Sequence, residues 1–248
     1  MSSKVHHIHL GSTPFARASA LQSLLVSRFL ASKSLPTPPP PPPPTVITSI
    51  FPPTYTLGRR ERVLSAEQLK HLRTDGRAAI VSTQRGGQTT FHGPGQVTGY
   101  LVMDLKTQRL TPRCYIRLLE DSVIGMLGRY GIIGFTTEDP GVWTSGTKKI
   151  CAVGVHMRRN VTSYGVGLNV DTDLWWFDRI VACGLEGKEA TSFVREGVTG
   201  VGVEEVGRKW AECVAERLEV GVVEAQAGDV LNEVEMEEWE KAAENEVK

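Results

Sequence analysis

Residues 142–170 read VWTSGTKKICAVGVHMRRNVTSYGVGLNV. Val142-Trp143 and the segment from Lys149 to Met157 carry the β-branched, apolar character of strands. Ser145-Gly146 between them supplies turn chemistry, so a hairpin is expected there. Tyr164 to Val170 reads as the next strand. Three strands thus follow one another with no helix between them, which argues against a regular β–α–β succession. Working outward, Val5 to Leu10, Val46 to Phe51, Ala78 to Ser82 and Gly99 to Leu105 read as further strands. Residues 112–130 read as a helix, with Thr111 as its cap and Pro112 in its first turn. Further helices are expected over residues 174–181 and 203–218, and Ser12-Thr13 is expected to cap a helix after the first strand. The expected fold is α+β, a mixed or antiparallel sheet with packed helices.

The chain has 248 residues, 40% of them hydrophobic and 23% charged, ordinary values for a globular protein with a substantial core. Its net charge is zero, so the balance carries no nucleic-acid signature. No apolar run reaches the roughly 18 residues of a membrane span. Cys114, Cys151, Cys183 and Cys213 have no CxxC spacing and no matching histidine pair, so neither a metal site nor a secreted disulfide scaffold is expected. Residues 1–60 hold no acid, and the Ser-rich, basic start resembles a mitochondrial transit peptide. The stretch ALQSLLVSRFL (20–30) fits such a peptide or the first helix of the fold, and composition does not separate the two. A first strand beginning near residue 5 leaves little room for a cleavable presequence. Prolines at 36 and 38–44 exclude helix and central strand, so residues 36–44 read as an inserted loop. Residues 229–248 hold eight acids and two lysines and read as a solvated helix or frayed end.

The stretch RGGQTTFHGPGQ (85–96) concentrates glycine around one histidine between two expected strands. It lacks the GKS or GKT of a phosphate loop, and no helix follows it as in a dinucleotide fingerprint. Arg85 can pair with an anion, and the N–H groups of Gly86 and Gly87 can polarise a carbonyl oxygen. His92 suits either a base or a neutral hydrogen-bonding post. Cys183, in Ala182-Cys183-Gly184, falls in a loop and is easier to expose than Cys114, Cys151 or Cys213, which lie in periodic segments. A buried inert thiol is the competing reading. Lys149 opens an apolar strand, either as a solvated edge charge or as a cation that favours a thiolate and shuttles a proton.

RGGQTTFHGPGQ, KICAVGVHMRRNVTSYGVGLNV and ACGLEGKEATS, in this order, resemble the octanoyltransferase family of lipoate biosynthesis. PPTYTLGRR (52–60) and LGSTPFARASALQ (10–22) match its opening segments, and the resemblance spans roughly residues 6–200. It implies a fold like the catalytic domain of biotin and lipoate protein ligases, over residues 1–220 with an acidic tail at 221–248. It implies transfer of an octanoyl group from acyl carrier protein to a lysine of lipoyl domains, in 2-oxoacid dehydrogenases or the glycine-cleavage H protein. The family's nucleophilic cysteine falls on Cys183 and its activating lysine on Lys149. Its substrate-contacting segments fall on Arg85, Gly86, Gly87, Gln88, Thr89, Thr90, Phe91 and His92, on Ala152, Val153 and Gly154, and on Gly165, Val166 and Gly167. No cofactor and no metal is implied, and a monomer acting in mitochondria is expected, or in the cytoplasm if the N-terminus is not a targeting signal.

The residue types suit that chemistry. A thiol accepts an acyl group from another thioester at little free-energy cost, so no ATP is needed. Gly165 and Gly167 leave room for a chain beside the backbone, with Val153, Val155 and Val166 as an apolar slot. The chain departs from the family pattern at Ser49-Ile50-Phe51, where an acid and a histidine are usual, at Ala182, where proline is usual, and in the polyproline insertion. Two alternatives stand beside this reading: an ATP-dependent ligase on the same fold, and a non-catalytic module that binds lipoyl domains. Arg158 and Arg159, with Arg59 and Arg60, form either a dock for an acidic carrier or a solvated basic face.

Overall fold

The computed structural model describes residues 4–34, 40–61, 63–180 and 187–244. In chain order it contains β1 (Lys4–Ser12), α1 (Phe15–Ala31), β2 (Thr45–Ile50), β3 (Thr54–Leu57), α2 (Ala66–Arg73) and β4 (Ala79–Ser82). Then come β5 (Thr90–His92), β6 (Gln96–Val102), α3 (Pro112–Gly128), β7 (Val142–Trp143), β8 (Lys148–Arg158) and β9 (Val161–Asn169). A 3₁₀ turn (Leu174–Arg179), β10 (Glu189–Ala190), α4 (Val203–Arg217), β11 (Gly221–Glu224), α5 (Ala227–Val230) and α6 (Glu233–Glu244) complete the order.

The expected hairpin is present: β7 pairs antiparallel with β8, and β8 with β9 along its length. Arg159 and Asn160, both left-handed (φ 52° and 66°), close the β8–β9 turn. Among the described residues the main sheet runs β10-β8-β9-β6-β2-β1-β11, with β7 beside β8. Its centre is antiparallel, whereas β1 pairs parallel with both β2 and β11, and β10 parallel with β8. The sheet is therefore mixed. A smaller sheet, β4-β3-β5, stands beside it.

Apolar spacing decides what covers each face. On α3, Tyr115, Leu119, Val123, Met126 and Leu127 recur every three or four residues and pack with Trp210 and Val214 of α4. Thr111 caps α3 by accepting from Cys114 N–H (3.2 Å), with Pro112 at the first position, as expected. The opposite face takes Leu21, Leu25 and Phe29 of α1. ALQSLLVSRFL is thus a core-packed helix of the fold. A third cluster, of Tyr55, Leu72, Ala78 and Phe91, lies under the smaller sheet.

Four expectations are corrected. Ser12 ends β1, and α1 begins after Pro14 with no side-chain cap; Pro14 itself sets the φ needed for entry. The strand expected over Gly99 to Leu105 starts earlier and leaves the ladder after Val102, because Met103 N–H turns to Thr162 Oγ1 and Leu105 N–H to Asn160 O. The helix expected over 174–181 is a 3₁₀ turn started by Asp173, whose side chain accepts from Trp175 N–H. The C-terminal segment is anchored to the fold through Ala225, Ala227, Val230, Leu231 and Trp239, while most of its acids stay at the surface. β11 lines up on β1 from Lys4↔Gly221 to His7↔Glu224. Trp239 of α6 is buried on α1, with its Nε1–H donated to Arg17 O (2.9 Å) and the Arg17 guanidinium over its ring (4.2 Å). Of the polyproline loop, residues 40–44 are described and lead without helix or strand into β2.

Candidate active site

The β8–β9 hairpin forms the floor of a cleft of about 240 Å³. Its register aligns the two glycine-bearing segments: Ala152 faces Gly167, Val153 faces Val166 and Gly154 faces Gly165. Val153, Val155 and Val166 line the cleft with Ile116 of α3, so the expected apolar slot is there. Gly165 and Gly167 line the cleft and also let neighbouring groups close in where a side chain would stand. A Cβ on Gly165 would stand 2.3 Å from Gly99 O, and one on Gly167 would crowd Gln96 Oε1 (3.2 Å) and His92 (3.3 Å). The space they leave is filled by the protein's own groups.

The wall opposite is residues 85–92. The Arg85 guanidinium is buried and donates to Thr56 Oγ1 (3.1 and 2.9 Å) and to Gly86 O (3.0 Å). Gly86 N–H is donated to Val155 O (2.9 Å), so it is engaged in holding the wall to the floor and does not serve a substrate carbonyl. Arg59 and Arg60 N–H groups reach the carbonyls of Arg85 (3.0 Å) and Gly87 (3.1 Å). Gln88, Thr89, Thr90 and His92 line the cleft. Phe91 does not. Strand alternation turns it to the far face, where its ring stacks on Trp176 (4.9 Å) and meets Tyr55 edge-on (5.3 Å).

His92 is held by a relay that fixes its tautomer. Asn169 Nδ2 donates to Thr191 O (3.0 Å), so its Oδ1 receives Gln96 Nε2 (2.9 Å), which also donates to Phe91 O (3.1 Å). Gln96 Oε1 is then left to accept from His92 Nδ1–H (2.7 Å). Burial, with Arg85 adding to it, pushes the imidazole from 6.5 to about 4. Near neutral pH His92 is uncharged and a weak base, with Nε2 as an acceptor.

Lys149 lies at the other end of the floor. Its Nζ donates to Pro140 O (3.1 Å) and sits 4.5 Å from the centre of the Trp143 ring. The loop it touches is pinned from α3: buried Glu120 accepts Gly141 N–H on Oε1 (3.0 Å). Burial raises the Glu120 carboxyl above its ordinary value. Lys188 Nζ is 5.2 Å from the same indole and donates to Gly146 O (2.6 Å).

Cys183 lies outside the described residues. Ile180 and Lys188, near the two ends of the stretch 181–186, line a small pocket of about 30 Å³ with Lys149, Thr90 and Trp143. Just beyond, β10 pairs Ala190 with Lys149, and Thr191 N–H reaches Lys149 O (2.9 Å). Of the other cysteines, Cys151 and Cys213 are buried, and burial raises both thiols, Cys213 to about 11. Cys114 is exposed, contrary to expectation, because it occupies the solvent side of the first turn of α3. Its bond to Thr111 lowers its thiol, and it does not line the cleft.

Sequence reading missed Phe15, Thr56, Tyr100 and Tyr164, which also line the cleft. The Tyr100 and Tyr164 rings meet edge-on at 5.7 Å, and Tyr164 Oη accepts Gln84 N–H (3.2 Å). Each comes from a different element, so no local pattern signals them. Of the arginines expected to cluster, Arg59 and Arg158 both act on His156, whose pKa is lowered chiefly by burial. Arg60 lines the cleft, and Arg159 donates to Ser34 Oγ (2.7 Å).

Known proteins resemble this arrangement. The family described as "Lipoyl protein ligase A/B catalytic domain" matches residues 16–215. A Schizosaccharomyces pombe protein named "Probable octanoyltransferase" is 45% identical over 185 residues, 74% of this chain and 82% of that one. A mitochondrial octanoyl-acyl-carrier-protein:protein N-octanoyltransferase of Danio rerio is 37% identical over 213 residues, 86% of this chain and 92% of that one. In fold, the chain superposes on the bi-partite lipoate protein ligase of Thermoplasma acidophilum with a TM-score of 0.70 at 16% identity, covering 98% of this chain and 92% of that one.

Proposed function

Because the chain belongs to the lipoyl protein ligase A/B catalytic domain family, within its octanoyltransferases, we propose that it works as an acyltransferase through a thioester on Cys183. The donor is octanoyl-acyl carrier protein, and the acceptor is a lysine of lipoyl domains of 2-oxoacid dehydrogenases or of the glycine-cleavage H protein. The observation that carries the cysteine assignment is the meeting of Ile180 and Lys188, on either side of residues 181–186, in one pocket with Lys149.

In the first step the Cys183 sulfur attacks the donor carbonyl carbon. A new C–S bond forms, the donor's C–S bond breaks, and the proton lost by the enzyme thiol ends on the departing carrier thiol. In the second step the acceptor amine attacks the same carbon. A C–N bond forms, the enzyme C–S bond breaks, and the amine's proton returns to Cys183. We assign both proton transfers to Lys149. His92, uncharged and pinned by Gln96, serves as an acceptor that orients the donor or the amine. No co-reactant is consumed, so turnover proceeds without ATP, which separates this reading from a ligase.

Arg158 and Arg159, with Arg59 and Arg60, are assigned to the acidic carrier, and charge reversal at Arg158 and Arg159 should raise the KM for the donor. Relatives from Danio rerio, Xenopus tropicalis and Kluyveromyces lactis are named mitochondrial, which supports a mitochondrial location. The test is intact-protein mass spectrometry after mixing enzyme with octanoyl-carrier protein and no acceptor. A hydroxylamine-labile octanoyl adduct, missing in Cys183→Ala, is expected. Transfer to a lipoyl domain without any adduct would overturn the cysteine's role.

A further inference from the structure

Aromatic rings line the acyl cleft at the end of its floor away from Lys149. Val155, the sixth residue after Lys149 on β8, pairs with Tyr164 of β9. Phe15, Tyr100 and Tyr164 all line the cleft. The Tyr164 ring meets Tyr100 edge-on (5.7 Å), Tyr100 lies 6.5 Å from Phe51, and Phe51 meets Phe15 edge-on (5.4 Å). Rings from α1, β6, β9 and the residue after β2 thus form one continuous face. Phe15, Phe51 and Tyr100 are buried in the cluster that packs under α1 with Ala18, Leu21 and Leu25. Packed core, not open space, lies behind that face.

Tyr164 takes its place there through an unfavourable backbone. Its φ is 61°, a left-handed conformation rare for a bulky residue. The pairing of β8 with β9 runs in one register from Cys151↔Leu168 to Arg158↔Val161, so no slip explains the direction of its side chain. Simple alternation would set Tyr164 on the face of Leu168, with the cluster under α3 and α4. Its ring instead packs with Tyr100 and the cluster under α1. Two further elements hold it. Tyr164 N–H is donated to Oε1 of buried Gln22 on α1, and Tyr164 Oη accepts Gln84 N–H (3.2 Å) at the head of the wall. Backbone held in so sparse a conformation gathers at ligand clamps and active sites.

We infer that Tyr164, with Phe15 and Tyr100, is the stop for the methyl end of the acyl chain and sets the longest chain the enzyme accepts. The inference rests on the acyl-transfer reading above. That reading puts the reacting carbonyl beside Lys149 and leaves the tail to run along β9 toward the rings. The substrate class is then an unbranched acyl thioester of limited length. A longer tail meets rings backed by close-packed core, and room for it opens only when a ring is removed.

The experiment loads the carrier protein with octanoyl, decanoyl or dodecanoyl chains and measures the second-order rate of acyl-enzyme formation from each. In the wild type the rate should fall from octanoyl to dodecanoyl. Tyr164→Gly removes the ring and suits the left-handed backbone. It should raise the dodecanoyl-to-octanoyl ratio about tenfold or more, since an apolar pocket tells one methylene apart by about that factor. Tyr164→Phe keeps the ring and should keep the wild-type ratio. Phe15→Leu is a milder change, decisive if Tyr164→Gly does not fold, and should move the preference toward decanoyl. Unchanged ratios in these two smaller-side-chain variants, with octanoyl still loaded, would overturn the stop. So would a wild type that loads dodecanoyl as fast as octanoyl. An equal loss at every chain length would overturn it as well, because Tyr164 would then only brace the wall through Gln84. Failure of the wild type to load any chain would instead sink the acyl-transfer reading beneath it.

Discussion

His92 Nδ1 and Gln96 Oε1 lie 2.7 Å apart, at the end of a relay whose every donor is fixed from Thr191 inward. The bond fixes the tautomer, while burial, with Arg85 beside it in the same wall, keeps the imidazole neutral. That state has a cost in acid. The folded pKa of about 4 lies below the unfolded value of 6.5, so between these two pH values the unfolded chain binds the extra proton first. Stability from this group is complete above pH 6.5 and is lost as pH falls toward 4, by roughly 3 kcal/mol in all. Urea unfolding from pH 7 to 4 should show that loss in the wild type and a flatter limb in His92→Asn. Parallel limbs would mean that His92 titrates normally.

Lys149 is expected to matter for proton movement rather than for charge alone. Lys149→Ala should lower kcat by about 10²- to 10⁴-fold, the usual range for a lost general acid–base group. Lys149→Arg keeps a cation but cannot give up a proton, so it should not restore the rate. Rapid-quench measurement of octanoyl-enzyme formation is the check. Recovery in Lys149→Arg would reduce the lysine to an electrostatic partner.

Much of this site was legible in the chain, and what was missed has physical causes. The β8–β9 segments are rich in β-branched and apolar residues and break at Asn160, which tolerates the left-handed turn, so both strands are readable. In β5, strand alternation sets Phe91 on the face away from the cleft, which the glycine-rich motif taken whole does not reveal. The parallel pairing of β1 with β11 joins residues over two hundred positions apart, and no local pattern encodes such register. The acid count of the C-terminal segment hid Trp239, one aromatic residue whose burial decides that α6 docks. Cys114 sits in a periodic run, but its place in the first turn of α3 leaves it open to solvent.

Glu120 touches no part of the cleft, yet it holds the Gly141 amide of the loop whose Pro140 carbonyl receives Lys149. Its carboxyl is needed as a hydrogen-bond acceptor, not as a charge, and burial already disfavours the charge. Glu120→Gln should therefore keep most activity. Glu120→Leu leaves the amide unpaired at a cost of about 1–3 kcal/mol and should reduce kcat with little change in donor KM. Steady-state kinetics of both variants, with melting curves as a control for folding, decide the matter. Equal losses in the two would mean that the negative charge itself acts on Lys149.

Trp239 tests whether the acidic C-terminal segment belongs to the fold. Its ring is buried against α1, bonded to Arg17 O and covered by the Arg17 guanidinium. Replacing a buried tryptophan by alanine costs about 3–5 kcal/mol in a well-packed core, and the lower end suits a site at the edge of the protein. Trp239→Ala should lower the urea midpoint accordingly. Turnover per folded molecule should change little: Arg17 lies only two residues from Phe15, which lines the cleft, but Phe15 is also held by its edge-on contact with the buried Phe51 ring (5.4 Å). Trp239→Phe keeps the apolar ring and the cation contact but loses the Nε1–H bond, so it should recover more than half of the lost stability. If both variants melt like the wild type, α6 adds nothing to the fold. If turnover falls in step with stability, α6 instead steadies the end of α1 that carries Phe15, and the C-terminal segment becomes part of the acyl cleft's support.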